Sequence, residues 1–302
     1  MDNQKRSAIF NNWIYSFALR SNNIINNYSR LKTVLFILPI FLLITIILQL
    51  YSQNALSVDG YIQIQKGLFF SINYNLGQYP NLQFNLTQFG DALIFLSFLS
   101  IFIIYVPKIW EALIPGLLVS ALFSCPLKKI FAVPRPAAMF TNNSFIIIGE
   151  KLSGSNSLPS GHSVTIFTIL TVLLFAFTPQ KLKYKTLFFL CVIIMGLVLG
   201  FTRVGVGAHY PLDVIVGSII GYISGLIGIF ISRKYKFFTW VNNKKCYPVF
   251  ILLFLIGCIM LMNKIINENL IIFYLAFVSL IVSLYKITNI YAKKQSEVKA
   301  VL

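Results

Sequence analysis

What most constrains this chain is a succession of apolar runs, separated by short stretches where lysine and arginine collect. Runs suited to spanning a membrane begin near Val34, Ala92, Ile109, Ser163, Thr186, Pro211, Tyr247 and Leu270, and a spanning helix needs roughly 20 mainly apolar residues. With 57% hydrophobic and 11% charged residues, a soluble domain is excluded, because its helices would keep polar faces. The expected fold is all-α, a polytopic transmembrane helical bundle.

A net charge of +17 could suit nucleic acid as a partner. The basic residues, however, form clusters between apolar runs and no stripe interleaved with aromatics, so no nucleic acid is expected. Clustered positive charge instead marks cytoplasmic connections. Eight spans with both ends in the cytoplasm put most of the 25 lysines and arginines inside. The four cysteines lack metal-type spacing and read as small packing residues.

Residues 1–32 are expected as a cytoplasmic segment, with Ile9, Trp13 and Phe17 on one stripe of an interfacial helix. Residues 33–236 would form a six-span core, and 237–302 two further spans with a basic cytoplasmic tail. Between the first two spans, residues 51–89 are rich in Asn, Gln and aromatics. They read as an outer-face loop that partly re-enters, with Phe69, Phe70, Tyr74 and Tyr79 in the headgroup layer. Residues 137–158 read as a second outer loop.

Nearly all the chemistry-bearing residues fall in three short pieces, which this topology delivers to one outer face. Lys128 and Arg135 are expected just past the third span and Arg203 just past the fifth. Charges near hydrocarbon are costly unless used, and a guanidinium fork matches two phosphate oxygens while lysine offers a point charge. Ser160, Gly161 and His162 directly precede the fourth span, where backbone N–H groups favour an anion. Ser160 alone would be a helix N-cap; beside His162 it is also a phosphate donor.

His209 lies just before the sixth span and Asp213 in its first turn, so the carboxylate can accept the Nδ1 proton and leave Nε2 to attack. His162 and His209 are the only histidines. Two histidines, one of them buttressed, can divide nucleophilic attack and leaving-group protonation. Without a Cys-x-x-Cys motif or an acidic cluster, neither metal nor other cofactor is expected.

These pieces resemble the type 2 phosphatidic acid phosphatase superfamily, whose signature is Lys-x6-Arg-Pro, Pro-Ser-Gly-His and Ser-Arg-x5-His-x3-Asp. Here they run from Lys128 to Arg135-Pro136, from Pro159 to His162, and through Arg203, His209 and Asp213, with Thr202 in place of the usual Ser. The resemblance implies a phosphohistidine on His209 oriented by Asp213, and His162 as general acid. It also implies a phosphate cradle of Lys128, Arg135, Ser160, Gly161 and Arg203. The expected activity is hydrolysis of a lipid phosphate or diphosphate at the outer face of the inner membrane. Undecaprenyl diphosphate, phosphatidylglycerol phosphate, phosphatidate and lipid A phosphate are the candidate substrates. Transfer of the phosphate to another lipid, or a non-catalytic lipid-binding or transport role, are the alternatives.

Overall fold

In the computed structural model, which describes residues 22–141 and 144–301, the regular elements are helices throughout. Residues 22–29 form α1. Then come α2 (Ile37–Ser52), α3 (Val58–Gly77), α4 (Pro80–Thr87), α5 (Ala92–Leu99), α6 (Phe102–Tyr105), α7 (Pro107–Phe131) and α8 (Pro136–Met139). After a long loop follow α9 (Gly161–Ala176), α10 (Leu182–Gly205), α11 (Pro211–Lys234), α12 (Tyr247–Glu268) and α13 (Ile271–Val301). The interfacial stripe at Ile9, Trp13 and Phe17 lies outside the described residues.

Among the described residues, six helices are long and apolar enough to cross a membrane: α2, α7, α10, α11, α12 and α13. The protein is therefore a multi-pass membrane protein. Of the other expected spans, α9 has 16 residues, about 24 Å at 1.5 Å per residue. The expected second span is split into α5 and α6. Its break lies at Ser100, whose hydroxyl donates back to the Ser97 carbonyl at 2.7 Å, a local bond that competes with the helical ladder. Asp91 caps this segment as expected, accepting from Leu93 N–H at 2.9 Å.

The bundle is centred on α11, which packs against both α9 and α7. Its glycines make that approach possible. A Cβ on Gly221 would come within 2.5 Å of the Val164 carbonyl, and one on Gly228 within 2.5 Å of the Ala112 carbonyl. Small residues replace the hydrophobic effect as the means of close packing between helices in lipid.

Residues 51–89 are not the expected loop. They fold into α3, α4 and a 3-10 turn at Gln88–Gly90. Tyr61, Gln65, Phe69 and Asn73 recur every fourth residue, all buried, so they form one stripe down α3. That stripe lies on the C-terminal end of α10 and the N-terminal end of α11: Gln65 Oε1 accepts Leu212 N–H at 2.8 Å, and Asn73 Nδ2 donates to the Val204 and Gly205 carbonyls. Phe69 packs on Phe140, Phe145 and Tyr210 and does not face the headgroup layer.

Two boundaries also move. The third span continues to Phe131, with Ala132 closing it in a left-handed conformation (φ 44°), so Lys128 sits in the last helical turn and not beyond it. Likewise Arg203 lies inside α10. At the opposite end of the bundle, Arg233 donates to the Ser29 and Leu31 carbonyls, and Asn27 to the Ala176 and Thr178 carbonyls. The α1, α9 and α11 ends that carry these bonds lie away from the three motifs, which gather at the other end.

Candidate active site

The turn between α10 and α11 is built by sequence. Gly207 adopts φ 77°, the left-handed region that glycine enters freely. A Cβ there would also meet the Ile146 carbonyl at 2.6 Å. The turn folds back so that the Arg203 carbonyl accepts both Ala208 and His209 N–H. Pro211 then starts α11 with its fixed φ, and His209 is left just ahead of the helix with Asp213 in the first turn.

Asp213 is fully buried and holds a network. Its Oδ1 accepts the Tyr61 hydroxyl at 2.7 Å. Its Oδ2 accepts Ser157 Oγ at 2.5 Å and Tyr210 N–H at 2.9 Å. His209 Nδ1 lies 3.4 Å from the same Oδ2 and 3.3 Å from Ser157 Oγ. The expected His209–Asp213 pairing is present, long, and shared with Ser157. Nδ1 is thus directed at the carboxylate and the hydroxyl.

Around this pair stand the cations. Arg135, Arg203 and Lys128 all act electrostatically on His209, and all three with His209 on His162. Burial first, then these three charges, hold the His209 imidazole well below its ordinary value, with a Ser157 backbone hydrogen bond acting the other way. The ring is therefore neutral near pH 7, the state a nucleophile needs. Tyr61 is held well above the ordinary phenol value by burial and by the Asp213 charge, so it remains a donor.

Each cation is fixed differently. Arg135 Nε donates to Asn156 Oδ1 at 2.7 Å and its Nη1 to the Ala208 carbonyl at 3.4 Å. Arg203 Nη1 donates to Thr87 Oγ1 at 2.9 Å, while its buried Nε has no partner among the described residues. The Lys128 ammonium lies over Gly161, 3.3 Å from where a Cβ would stand. His162 packs on Gly90, where a Cβ would meet its Cβ and Cδ2 at 2.4 Å. Ser160 is the α9 N-cap: its Oγ accepts from Ser163 N–H at 3.4 Å and Ser163 Oγ at 3.0 Å, and its own N–H donates to the Asp213 carbonyl. Ser160 is buried, and its hydroxyl is engaged as an acceptor in both of these bonds.

All eight site residues named from sequence thus gather at one end of the bundle. Four contributors were not named: Tyr61, Ser157, Thr87 and Gly90. The fourfold spacing of Tyr61, Gln65, Phe69 and Asn73 was the available signal for the first. Thr87 belongs to an Asn-x-Thr triplet that resembles a glycosylation acceptor, and here its hydroxyl is committed to Arg203.

The sequence has relatives. Residues 110–238 match the profile of the PAP2 superfamily. An undecaprenyl-diphosphatase from Sulfolobus acidocaldarius is 28% identical over 185 residues, 60% of this chain and 84% of its own length. A lipid A 1-phosphatase from Rhizobium etli is 31% identical over 154 residues, 48% of this chain and 62% of its own. The crystal structure of Aquifex aeolicus LpxE is matched at 30% identity and a TM-score of 0.45, over 55% of this chain and 95% of that one.

Proposed function

We propose that this chain, whose residues 110–238 match the PAP2 superfamily profile, is a phosphatase of that family and hydrolyses a lipid phosphate or diphosphate by covalent catalysis on His209. Nε2 attacks phosphorus, a P–N bond forms, and the P–O bond to the leaving group breaks. His162 gives a proton to that oxygen, a proton it holds once the substrate phosphate offsets the cations which, after burial, keep its imidazole well below the ordinary value in the free protein. Water then attacks the phosphohistidine, its proton passes to His162, the P–N bond breaks and phosphate leaves. Lys128, Arg135 and Arg203 hold the non-bridging oxygens and offset charge in both transition states. Gly161 leaves room beneath Lys128, and Ser160 caps the helix whose first turn faces the anion.

The observation that carries this reading is the buried His209 ring with Nδ1 3.4 Å from Asp213 Oδ2 and 3.3 Å from Ser157 Oγ, inside a set of three cations. Undecaprenyl diphosphate and lipid A phosphate are the leading substrates, because the similar proteins are named for them. An outer-face site in the inner membrane is supported by the basic residues at the opposite end. Residues 33–236 are taken as the catalytic unit and 237–302 as an appended pair of spans.

The test is phosphate release by purified protein in EDTA from undecaprenyl diphosphate, lipid A 1-phosphate and phosphatidate, with and without an added lipid acceptor. Release to water from at least one of them is expected, and its loss in His209→Ala. Undiminished release by that variant would sink the assignment of His209.

A further inference from the structure

A second recess lies beside the cationic site. Although α2 leans on α11, it is otherwise little buried, and an apolar groove of about 580 Å³ opens between α2, α7 and α11. Each helix contributes a stripe to it, through Leu50 on α2, Leu127 on α7 and Ile220 on α11. Three more of its lining residues, Tyr61, Val133 and Leu158, belong to the scaffold of the site itself. Tyr61 donates to Asp213, the Val133 carbonyl accepts Ser157 N–H, and Leu158 follows Ser157. Leu127 immediately precedes Lys128.

The groove and the cationic site therefore share a wall, and their chemistry is opposite. One side gathers three cations around a single buried carboxylate. The other has no hydroxyl to offer beyond those of Ser57 and Tyr61, each already bonded within the protein. A polar chain would lose its hydrogen bonds there. What fits both halves is an amphiphile with an anionic head and an apolar chain.

We propose that the groove holds one alkyl or isoprenoid chain of the substrate while its phosphate occupies the cationic site. This rests on the reading of that site as a phosphatase. Affinity is not the main gain, since a chain already in lipid is as well solvated as one against leucine. The gain is register: a chain held between α2, α7 and α11 fixes the phosphorus relative to His209, and a misplacement of about 1 Å can cost on the order of 10²-fold in rate. A substrate without the chain loses that register.

The test compares two substrates with the same head, farnesyl diphosphate and dimethylallyl diphosphate, in detergent micelles. Native protein is expected to favour the longer chain in kcat/KM. Ile47→Trp, at an exposed groove position on α2, and Leu127→Trp, on α7, should each lower the farnesyl-to-dimethylallyl ratio about ten-fold. Ile194→Trp, on the lipid-facing side of α10, should keep the native ratio. A native ratio in both groove variants, with active protein, would overturn the proposal. No phosphate release by native protein from either substrate, nor from undecaprenyl diphosphate, lipid A 1-phosphate or phosphatidate, would overturn the phosphatase reading itself, a separate result from an unchanged ratio.

Discussion

Two groups of buried polar residues lie in the apolar bundle, and they are built differently. Where α13 packs on α5, the Ser100 and Ser283 hydroxyls lie 2.7 Å apart, and Ser279 donates to the Ser97 carbonyl at 3.0 Å. The groups there are neutral, short and satisfied by one another. Around Asp213 they are charged, and the donors outnumber the acceptors. Among the described residues Lys128, Arg135 and Arg203 make no salt bridge, and Arg203 Nε finds no partner there either. A saturated neutral seam holds two helices together, whereas uncompensated positive charge at membrane depth is costly and is retained where a ligand uses it.

The contrast is sharpened most by removing a cation. Arg203→Ala should lower kcat/KM by about 10²- to 10³-fold, as expected for a donor to a developing anion, measured as phosphate release. Arg135→Gln should do likewise and also move the acid limb of kcat/KM. In native protein the depressed His209 value keeps the neutral nucleophile present below about pH 6.5. Losing a nearby positive charge raises that value, so activity is lost at higher pH than in native protein. An acid limb that stays in place would separate Arg135 from His209.

Gly90→Ala is next in size, because its Cβ would displace the His162 side chain. The expected loss is about 10²-fold in kcat. Unchanged kcat would mean that His162 does not protonate the leaving group.

Tyr61→Phe keeps the ring in its packing and removes the donor to Asp213. A hydrogen bond to a charged group contributes roughly 1.5–3 kcal/mol, so kcat should fall about ten-fold or more while KM holds. A purely structural role would instead lower thermal stability and leave the kinetics of folded protein alone.

Smallest is Ser283→Ala at the α5–α13 seam. Ser100 keeps its bond to the Ser97 carbonyl, so about 1 kcal/mol of stability should be lost. A melting curve in detergent and an unchanged kcat are the expected readings. A kcat effect here would join the C-terminal pair to catalysis.

Sequence reached the site because its signals are local. His209 and Asp213 are one helical turn apart, and the histidines are only two. It did not reach α3, because the buried stripe there contains Gln65 and Asn73. These residues read as polar loop, yet they are buried by bonding to backbone of α10 and α11. Such partners are distant in the chain, so no periodicity of apolar residues reports them. The broken second span escaped for a related reason. Ser97 and Ser100 sit in an apolar run, and only the contact with α13 shows what they do. The depth of Lys128 and Arg203 was missed because basic side chains suggest a helix end, where α7 and α10 instead carry them within their last turns.

The most direct test of the central claim is to trap the covalent intermediate. Native protein mixed with phosphate-labelled lipid substrate and quenched in base should carry label on the peptide containing His209, stable in alkali and lost in acid. His209→Gln should carry none. Label on His162, or turnover with label on no residue at any quench time, would contradict the account.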